Sequence, residues 1–291
     1  MEILDGKEIA EGILARITSQ AKTEPFDGSG KLTASKLRAR RFLAAVLVGN
    51  DASSVSYLKQ KEKTAKELGV DFRLYKFPSE IKNDDLREEV RKIAGHKTCG
   101  GVIVQLPLPE HVNAQYVLNA IPREKDVDVL GERSLGAFYA GRNPIVPPSV
   151  GVVEEILKAK NYNLKASSVA VVGVGPLVGK PISMWLTRRV RELRLLHRGS
   201  DFRMLKDADL VIAGAGKAGL IKPAMLKFDA GVIDFGYDGG KGDFDADSVK
   251  ANSSKLKADS WYTPTPGGTG PILVAKLFEN FYALNKEKDR S

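Results

Sequence analysis

Cysteine is almost absent. Cys99 is the only one among 291 residues, which excludes an internal disulfide and any thiolate metal cluster. Histidine is scarce as well, and His96, His111 and His197 are too dispersed along the chain for a metal site to be expected. No stretch approaches the roughly 18 consecutive apolar residues of a membrane helix. The start, Met1-Glu2-Ile3-Leu4-Asp5-Gly6-Lys7, lacks the apolar core of a secretory signal, so a cytoplasmic protein independent of membranes is expected. Aromatic residues make up only 7%, which gives little support to a platform that stacks single-stranded nucleic acid. Acidic residues are outnumbered, and the formal charge of +9 calls for an anionic partner. Nucleic acid and a multiply charged small ligand both answer that description, and composition does not choose between them. The one dense basic run, Lys36-Leu37-Arg38-Ala39-Arg40-Arg41, reads as a solvated loop.

The most informative stretch present runs from Val169 to Pro181. Val169-Ala170-Val171-Val172 reads as a strand buried on both faces, and Gly173-Val174-Gly175-Pro176-Leu177-Val178-Gly179 reads as a glycine-rich turn leading into a helix. Such a turn lets backbone N–H groups and a helix N-terminus face a phosphate, although the Gly-x-Gly-x-x-x-Gly spacing is one residue longer than the usual dinucleotide fingerprint. The next strand ends in His197-Arg198-Gly199-Ser200. An acidic residue at that end would accept from a ribose 2′-hydroxyl, whereas Arg198 suits a 2′-phosphate and so favours NADP over NAD. Two further apolar segments end in Gly214-Ala215-Gly216 and Gly236-Tyr237, small-residue stops that permit close backbone approach.

The first half shows the same alternation of strand and helix. A helix over residues 7–20 precedes a strand over 42–48, and Asp51 or Ser53 is placed to cap a helix ending near Leu68. On that helix Ser54, Tyr57 and Lys61 share one face, a spacing equally compatible with a surface contact. A strand over 72–77, a helix over 84–93 and the strand Gly101-Val102-Ile103-Val104 follow. Gln105 stands at the carboxyl end of that last strand, where open α/β sheets bind ligands, and Pro107 and Pro109 stop it. A helix over 114–121 leads to the polar turn Lys125-Asp126-Val127-Asp128. The proline-stiffened stretch 141–150 reads as a linker, and Thr263-Pro264-Thr265-Pro266-Gly267-Gly268-Thr269-Gly270-Pro271 precedes a helix over 272–284. This order implies an α/β fold of two domains built on parallel sheets.

Five motifs in this order resemble the bifunctional methylenetetrahydrofolate dehydrogenase/cyclohydrolase (FolD) family over nearly the whole chain. They are Val48-Gly49 with Ser54-x-x-Tyr57-x-x-x-Lys61, Val104 through Pro109, Lys125 through Asp128, Val172-Gly173 through Pro181, and Pro264 through Pro271. The resemblance implies a catalytic, folate-binding domain over residues 1–143, completed by 268–291, and a Rossmann-type NAD(P)-binding domain over 144–267. It implies an active-site cleft where they meet and a homodimer formed through the cofactor domains, and the presence of Tyr57, Lys61, Gln105 and Asp128 together argues against a nucleic-acid partner. The implied reactions are oxidation of 5,10-methylenetetrahydrofolate by NADP+, with NAD+ as the other nucleotide, and hydrolysis of the methenyl product to 10-formyltetrahydrofolate, the alternative being a dehydrogenase that lacks the hydrolytic step. By resemblance Lys61 manages proton transfer, Gln105 bonds Lys61 and the reacting centre, Tyr57 stacks on the substrate and Asp128 accepts from the pterin. Ser54, Pro266, Gly267 and Gly268 complete the substrate site. The cofactor positions are Gly173, Val174, Gly175, Val178, Gly179, His197, Arg198, Ala215, Gly216, Tyr237 and Thr269. Three departures stand out. Val174-Gly175 replaces Arg-Ser, Tyr237 replaces a smaller residue, and Val129 follows Asp128 where the family has glycine, which is expected to hold the backbone there at negative φ.

Overall fold

Strand formation is strongest where the sequence is continuously apolar. In the computed structural model, which describes residues 1–22, 41–249 and 260–286, every residue of Phe42–Val48 is buried. The chain divides into two units, one of residues 1–11 and 149–273 and the other of 12–148 and 274–291. The break at 148/149 lies five residues beyond the expected boundary, and the first eleven residues group with the later part of the chain.

The unit of residues 12–148 and 274–291 is built on a three-stranded parallel sheet. Its middle strand, β2 (Phe42–Val48), pairs with β3 (Asp71–Phe77) on one side and β4 (Cys99–Val104) on the other. A central parallel strand has both faces covered, which is why β2 carries no alternation, whereas the edge strand β3 alternates. Helices α2 (Ala52–Glu67), α3 (Asn83–Gly95) and α4 (Ala114–Leu118) each follow a strand, and α5 (Glu132–Tyr139) follows α4. Leu86, Val90 and Ile93 of α3 pack on Phe42, Val46 and Val102. The Asp51 carboxylate caps α2 by accepting from the Ser54 N–H at 2.7 Å, and Gly69 at φ +68 ends it. The expected helix over 114–121 is shorter and stops at Leu118. The expected loop over 21–40 and the basic run lie outside the described residues, apart from the last two residues of α1 (Gly6–Lys22) and from Arg41, whose guanidinium donates to Asn285 Oδ1.

The other unit holds a six-stranded parallel sheet. Its strands β5 (Ser168–Val172), β6 (Glu192–Leu196), β7 (Leu210–Ala213), β8 (Gly231–Asp234) and β9 (Trp261–Tyr262) are joined by β1 (Glu2–Ile3) in the order β1-β9-β8-β7-β5-β6. Chain direction across the sheet reverses between β5 and β7, so the crevice outside their carboxyl ends is the topological switch point. Helices α6 (Pro148–Ala159) and α7 (Gly179–Leu186) flank β5 in sequence, and α8 (Thr269–Lys286) starts in this unit and ends in the other. No described helix is long and apolar enough to cross a membrane.

Candidate functional site

The end of β2 and the end of β4 lie side by side, because Gln105 N–H continues their ladder by donating to the Val46 carbonyl at 2.9 Å. Helix α2 leaves from the end of β2 and turns Ser54 and Lys61 inward, both about 4% exposed, with the half-buried Tyr57 between them. The Lys61 ammonium donates to Gln105 Oε1 at 3.2 Å and stands 4.7 Å from the centre of the Tyr57 ring. Gln105 uses its amide nitrogen on the Leu106 carbonyl at 2.9 Å, so its oxygen is oriented toward the lysine. Pro107 follows through a cis peptide bond. Segment 126–128 runs parallel to β4 through a bridge between Val102 and Asp126, which carries Asp128 to the same end of the sheet.

The electrostatics of this cluster are those of charges withdrawn from water. Burial pulls Lys61 below the ordinary ammonium range, and the negative charge of Asp128 acts against that pull. Burial pushes the Asp128 carboxyl up to about 6, with Lys61 lowering it and Asp126 raising it. The Tyr57 hydroxyl is held above the phenol range and stays protonated. An amine that would be locked as ammonium in water is therefore able to exchange its proton here, and a carboxylate beside it is poised to lose its charge on mild acidification.

The backbone after Asp128 corrects the expectation drawn from valine. Val129 adopts φ +56, the left-handed conformation that glycine would take, instead of a negative value. The cause lies on both sides of it. The Asp126 carboxylate accepts from the N–H groups of Leu130 and Gly131, the Val129 N–H donates to the Asp126 carbonyl, and the valine side chain is fully buried. Those interactions offset a strain of about 1–2 kcal/mol for an L-residue in that region. Asn280 of α8 adds two more ties, donating to the Val127 and Val146 carbonyls at 2.9 and 2.8 Å. Asp126 stands in the quoted motif without a role of its own and Asn280 outside every motif, because a side chain that holds a loop in place has no sequence spacing to announce it.

The other unit collects the remaining candidates. Gly173, Val174 and Gly175 follow β5, His197 and Arg198 follow β6, Ala215 and Gly216 follow β7, and Tyr237 follows β8, all at carboxyl ends of parallel strands. The three glycines of the turn differ in purpose. Gly173 is at φ +87, and a Cβ there would lie 2.6 Å from the Gly214 carbonyl oxygen. A Cβ on Gly179 would overlap the Gly173 carbonyl, whereas one on Gly175 would meet nothing within 4 Å. The first and last glycines close the turn, and Gly175 leaves a space that a phosphate can fill. Val178 sits directly before α7 and packs under Gly214.

The end of β6 carries the two residues expected beside the cofactor ribose, His197 and Arg198. Asp201, the nearest following carboxylate, is occupied by the Arg203 N–H and side chain, and His197 is held through Nδ1 against the Arg198 carbonyl. The Arg198 guanidinium is exposed and has no partner among the described residues. These positions fit a phosphorylated dinucleotide: a glycine turn open at Gly175, a free arginine at the ribose position and small residues after β7. Tyr237 is 59% exposed beside the turn that follows β8. Thr269 is buried and donates its hydroxyl to the Asp234 carbonyl at 2.9 Å. Pro266 and Gly267 form a turn with a cis bond before Pro266 and φ +102 at Gly267, and Gly268 N–H donates to the Pro264 carbonyl at 2.8 Å. These three residues belong to the same unit as the glycine turn, and Ser54, Tyr57, Lys61, Gln105 and Asp128 belong to the other.

Known proteins match along the full chain. The family model described as tetrahydrofolate dehydrogenase/cyclohydrolase, catalytic domain, matches residues 4–128, and that described as the NAD(P)-binding domain of the same family matches 147–289. The bifunctional protein FolD of Bdellovibrio bacteriovorus is 33% identical over 99% of this chain and 98% of its own length. FolD of Staphylococcus aureus is 31% identical over 98% and 96%. Among solved structures, the bifunctional FolD enzyme of Campylobacter jejuni superposes with a TM-score of 0.86 at 28% identity, covering 99% of both chains. The Trypanosoma brucei FolD, complexed with NADP cofactor and inhibitor, gives 0.86 at 26% identity over 99% and 98%. With both of its domain models matched in order and relatives alike from end to end, the chain belongs to the tetrahydrofolate dehydrogenase/cyclohydrolase family.

Proposed function

We propose that the protein oxidises 5,10-methylenetetrahydrofolate with NADP+ and hydrolyses the methenyl product to 10-formyltetrahydrofolate. The observation that carries this reading is the buried Lys61 ammonium, bonded to Gln105 and balanced by Asp128. Residues 1–143 with 268–291 serve as the catalytic domain, and 144–267 as the cofactor domain.

Hydrolysis requires water to add to the methenyl carbon, a proton to leave that water, and a carbon–nitrogen bond to open as the ring nitrogen is protonated. Lys61 in its neutral form takes the proton from water and returns one to the leaving nitrogen. Gln105 Oε1 fixes where the amine points. Tyr57 offers its ring to the flat substrate, and Asp128 accepts from the donor groups of the pterin, which sets the distance between the reacting carbon and Lys61. Ser54, on the same helix as Tyr57 and Lys61, lines the substrate beside them. NADP+, when bound, supplies the hydride acceptor for the oxidation step. Its pyrophosphate is held by the 173–179 turn and its 2′-phosphate by Arg198, with Val174, Val178, His197, Ala215, Gly216, Tyr237 and Thr269 around it.

The enzyme works in the cytoplasm as a homodimer joined through the cofactor domains. The position of β6 at the edge of the six-stranded sheet, with Leu195 47% exposed among the described residues, supports that contact. The test of function is a spectroscopic assay with methylenetetrahydrofolate and each nicotinamide nucleotide, followed by methenyl hydrolysis. Absence of turnover with either nucleotide would sink the reading. Arg198→Ser is expected to raise KM for NADP+ by about 10- to 100-fold, the loss of one or two charge-assisted bonds, while KM for NAD+ changes by less than about twofold. Equal effects on both nucleotides would remove Arg198 from the 2′-phosphate site.

A further inference from the structure

We infer that Asp243, itself fixed by Asp234, is a positioning residue for the cofactor: its carboxylate sets the 214–217 turn against the glycine turn after β5. The inference rests on the reading of this unit as the NADP+ site.

Both carboxylates are buried, Asp234 at 1% and Asp243 at 0% exposure. Asp234 ends β8 and accepts from the Gly236 N–H at 2.7 Å and the Asp243 N–H at 3.2 Å through Oδ1, and from the Phe244 N–H at 2.8 Å through Oδ2. Asp243 in turn accepts from the Ala215 N–H at 2.6 Å through Oδ2 and from the Lys217 N–H at 2.7 Å through Oδ1. Two side chains thus join three segments: the end of β8, the 236–244 turn and the turn after β7. The joint is reinforced by main-chain bonds from Gly219 N–H to the Gly242 carbonyl and from Ile221 N–H to the Asp243 carbonyl.

The surrounding backbone is shaped to receive these carboxyl groups. A Cβ on Gly236 would overlap the Asp243 carboxyl, and one on Gly242 would overlap that of Asp234. Burial raises both groups, Asp234 to about 6, and backbone N–H groups rather than cations lower them again. Taking two carboxyl groups out of water is costly, and a sheet does not need it to fold. What the arrangement secures is loop position. Ala215 and Lys217 are the residues held, with Gly216 between them, and Tyr237 sits within the turn that Asp234 holds. The glycine turn has no slack toward them, since a Cβ on Gly173 would stand 2.6 Å from the Gly214 carbonyl oxygen and 2.8 Å from Ala215 Cα. A small movement of the 214–217 turn therefore changes the room beside Gly173.

The experiment uses the full chain carrying Asp243→Asn, which keeps volume and one acceptor but turns an NH2 group toward the N–H of Ala215 or Lys217. KM for NADP+ is expected to rise about tenfold with kcat changed less than about threefold, and NADPH fluorescence titration should show the same loss of affinity. Hydrolysis of methenyltetrahydrofolate, assigned to residues of the other unit, should stay within about twofold and reports on folding. Asp243→Ser, which leaves room for water to satisfy both N–H groups, should shift KM in the same direction. Unchanged NADPH affinity in both variants overturns the inference. Parallel loss of both activities with a lowered Tm in both variants assigns Asp243 a purely structural role and overturns it too. A parent protein that does not bind NADPH would instead defeat the functional reading itself.

Discussion

Lys61→Met is expected to lower the rate of methenyltetrahydrofolate hydrolysis by about 10²- to 10⁴-fold, the usual contribution of a positioned general acid–base group. Methionine keeps the length and apolar stem of the side chain, so the buried site closes around it and Gln105 Oε1 loses one donor. Oxidation of methylenetetrahydrofolate, which depends chiefly on positioning, should fall much less. Hydrolysis unchanged in the variant would take Lys61 out of the mechanism. The parent enzyme should show a matching pH dependence. Because the Asp128 carboxyl is pushed up to about 6, acidification below that value protonates it and removes its ability to accept from the pterin as an anion. The rate of hydrolysis should therefore decline below about pH 6. Stability should move differently. A carboxyl raised on folding contributes stability that is full below its unfolded value of 3.8 and is lost as pH rises through its folded value, so this group gains stability as pH falls from 7 to 5. A melting temperature that dropped in step with activity over that range would mean that unfolding, not Asp128, accounts for the decline. In Asp128→Asn the part of the decline centred near pH 6 should vanish, leaving only the loss of rate that protonation of Lys61 causes.

Much of this site was legible in the sequence for a physical reason. Ser54, Tyr57 and Lys61 lie on one helix, so spacing alone places them on one face, and Gln105 ends a strand whose register is set by its apolar run. The glycine turn announces itself because close backbone approach has few other solutions. What stayed hidden depends on contacts between distant segments. The two-residue strand β1 is ordered by pairing with β9 some 260 positions later and by the Lys160–Glu2 ion pair, and its sequence contains no alternation to read. Asp234 looks like the acid that stops a strand and Asp243 like an ordinary loop acid until the turns fold around them. Val129 is the clearest case. Local preference predicts negative φ, and the buried side chain together with the Asp126 carboxylate overrules it. What the sequence reveals of a residue thus follows the range of the interaction that decides its conformation.

The glycine turn yields the other large effect, a contrast between two substitutions of the same size four residues apart. Gly179→Ala places a methyl group on the Gly173 carbonyl and 2.7 Å from Val174 Cα, both backbone atoms without freedom to retreat. Overpacking against side chains costs about 1–3 kcal/mol, and against fixed backbone the cost should exceed that, a large share of the stability of an ordinary domain. Gly179→Ala is therefore expected to unfold or severely destabilise the cofactor unit and to abolish dehydrogenase activity, seen as a lowered melting temperature and loss of NADPH binding. Gly175→Ala meets open space, and Gly175 is not among the glycines at positive φ. There the substitution should leave stability unchanged or raise it by about 0.4–1 kcal/mol by restricting the unfolded chain. Its methyl group nevertheless projects into the space assigned to the pyrophosphate, so KM for NADP+ should rise at least about tenfold in a protein that melts normally, an effect of lost N–H bonds to the anion. A Gly175→Ala protein with parental KM would show that the phosphate lies elsewhere. A Gly179→Ala protein with parental stability would show that the turn can open at no cost, and the division of labour among the three glycines would then have no physical basis.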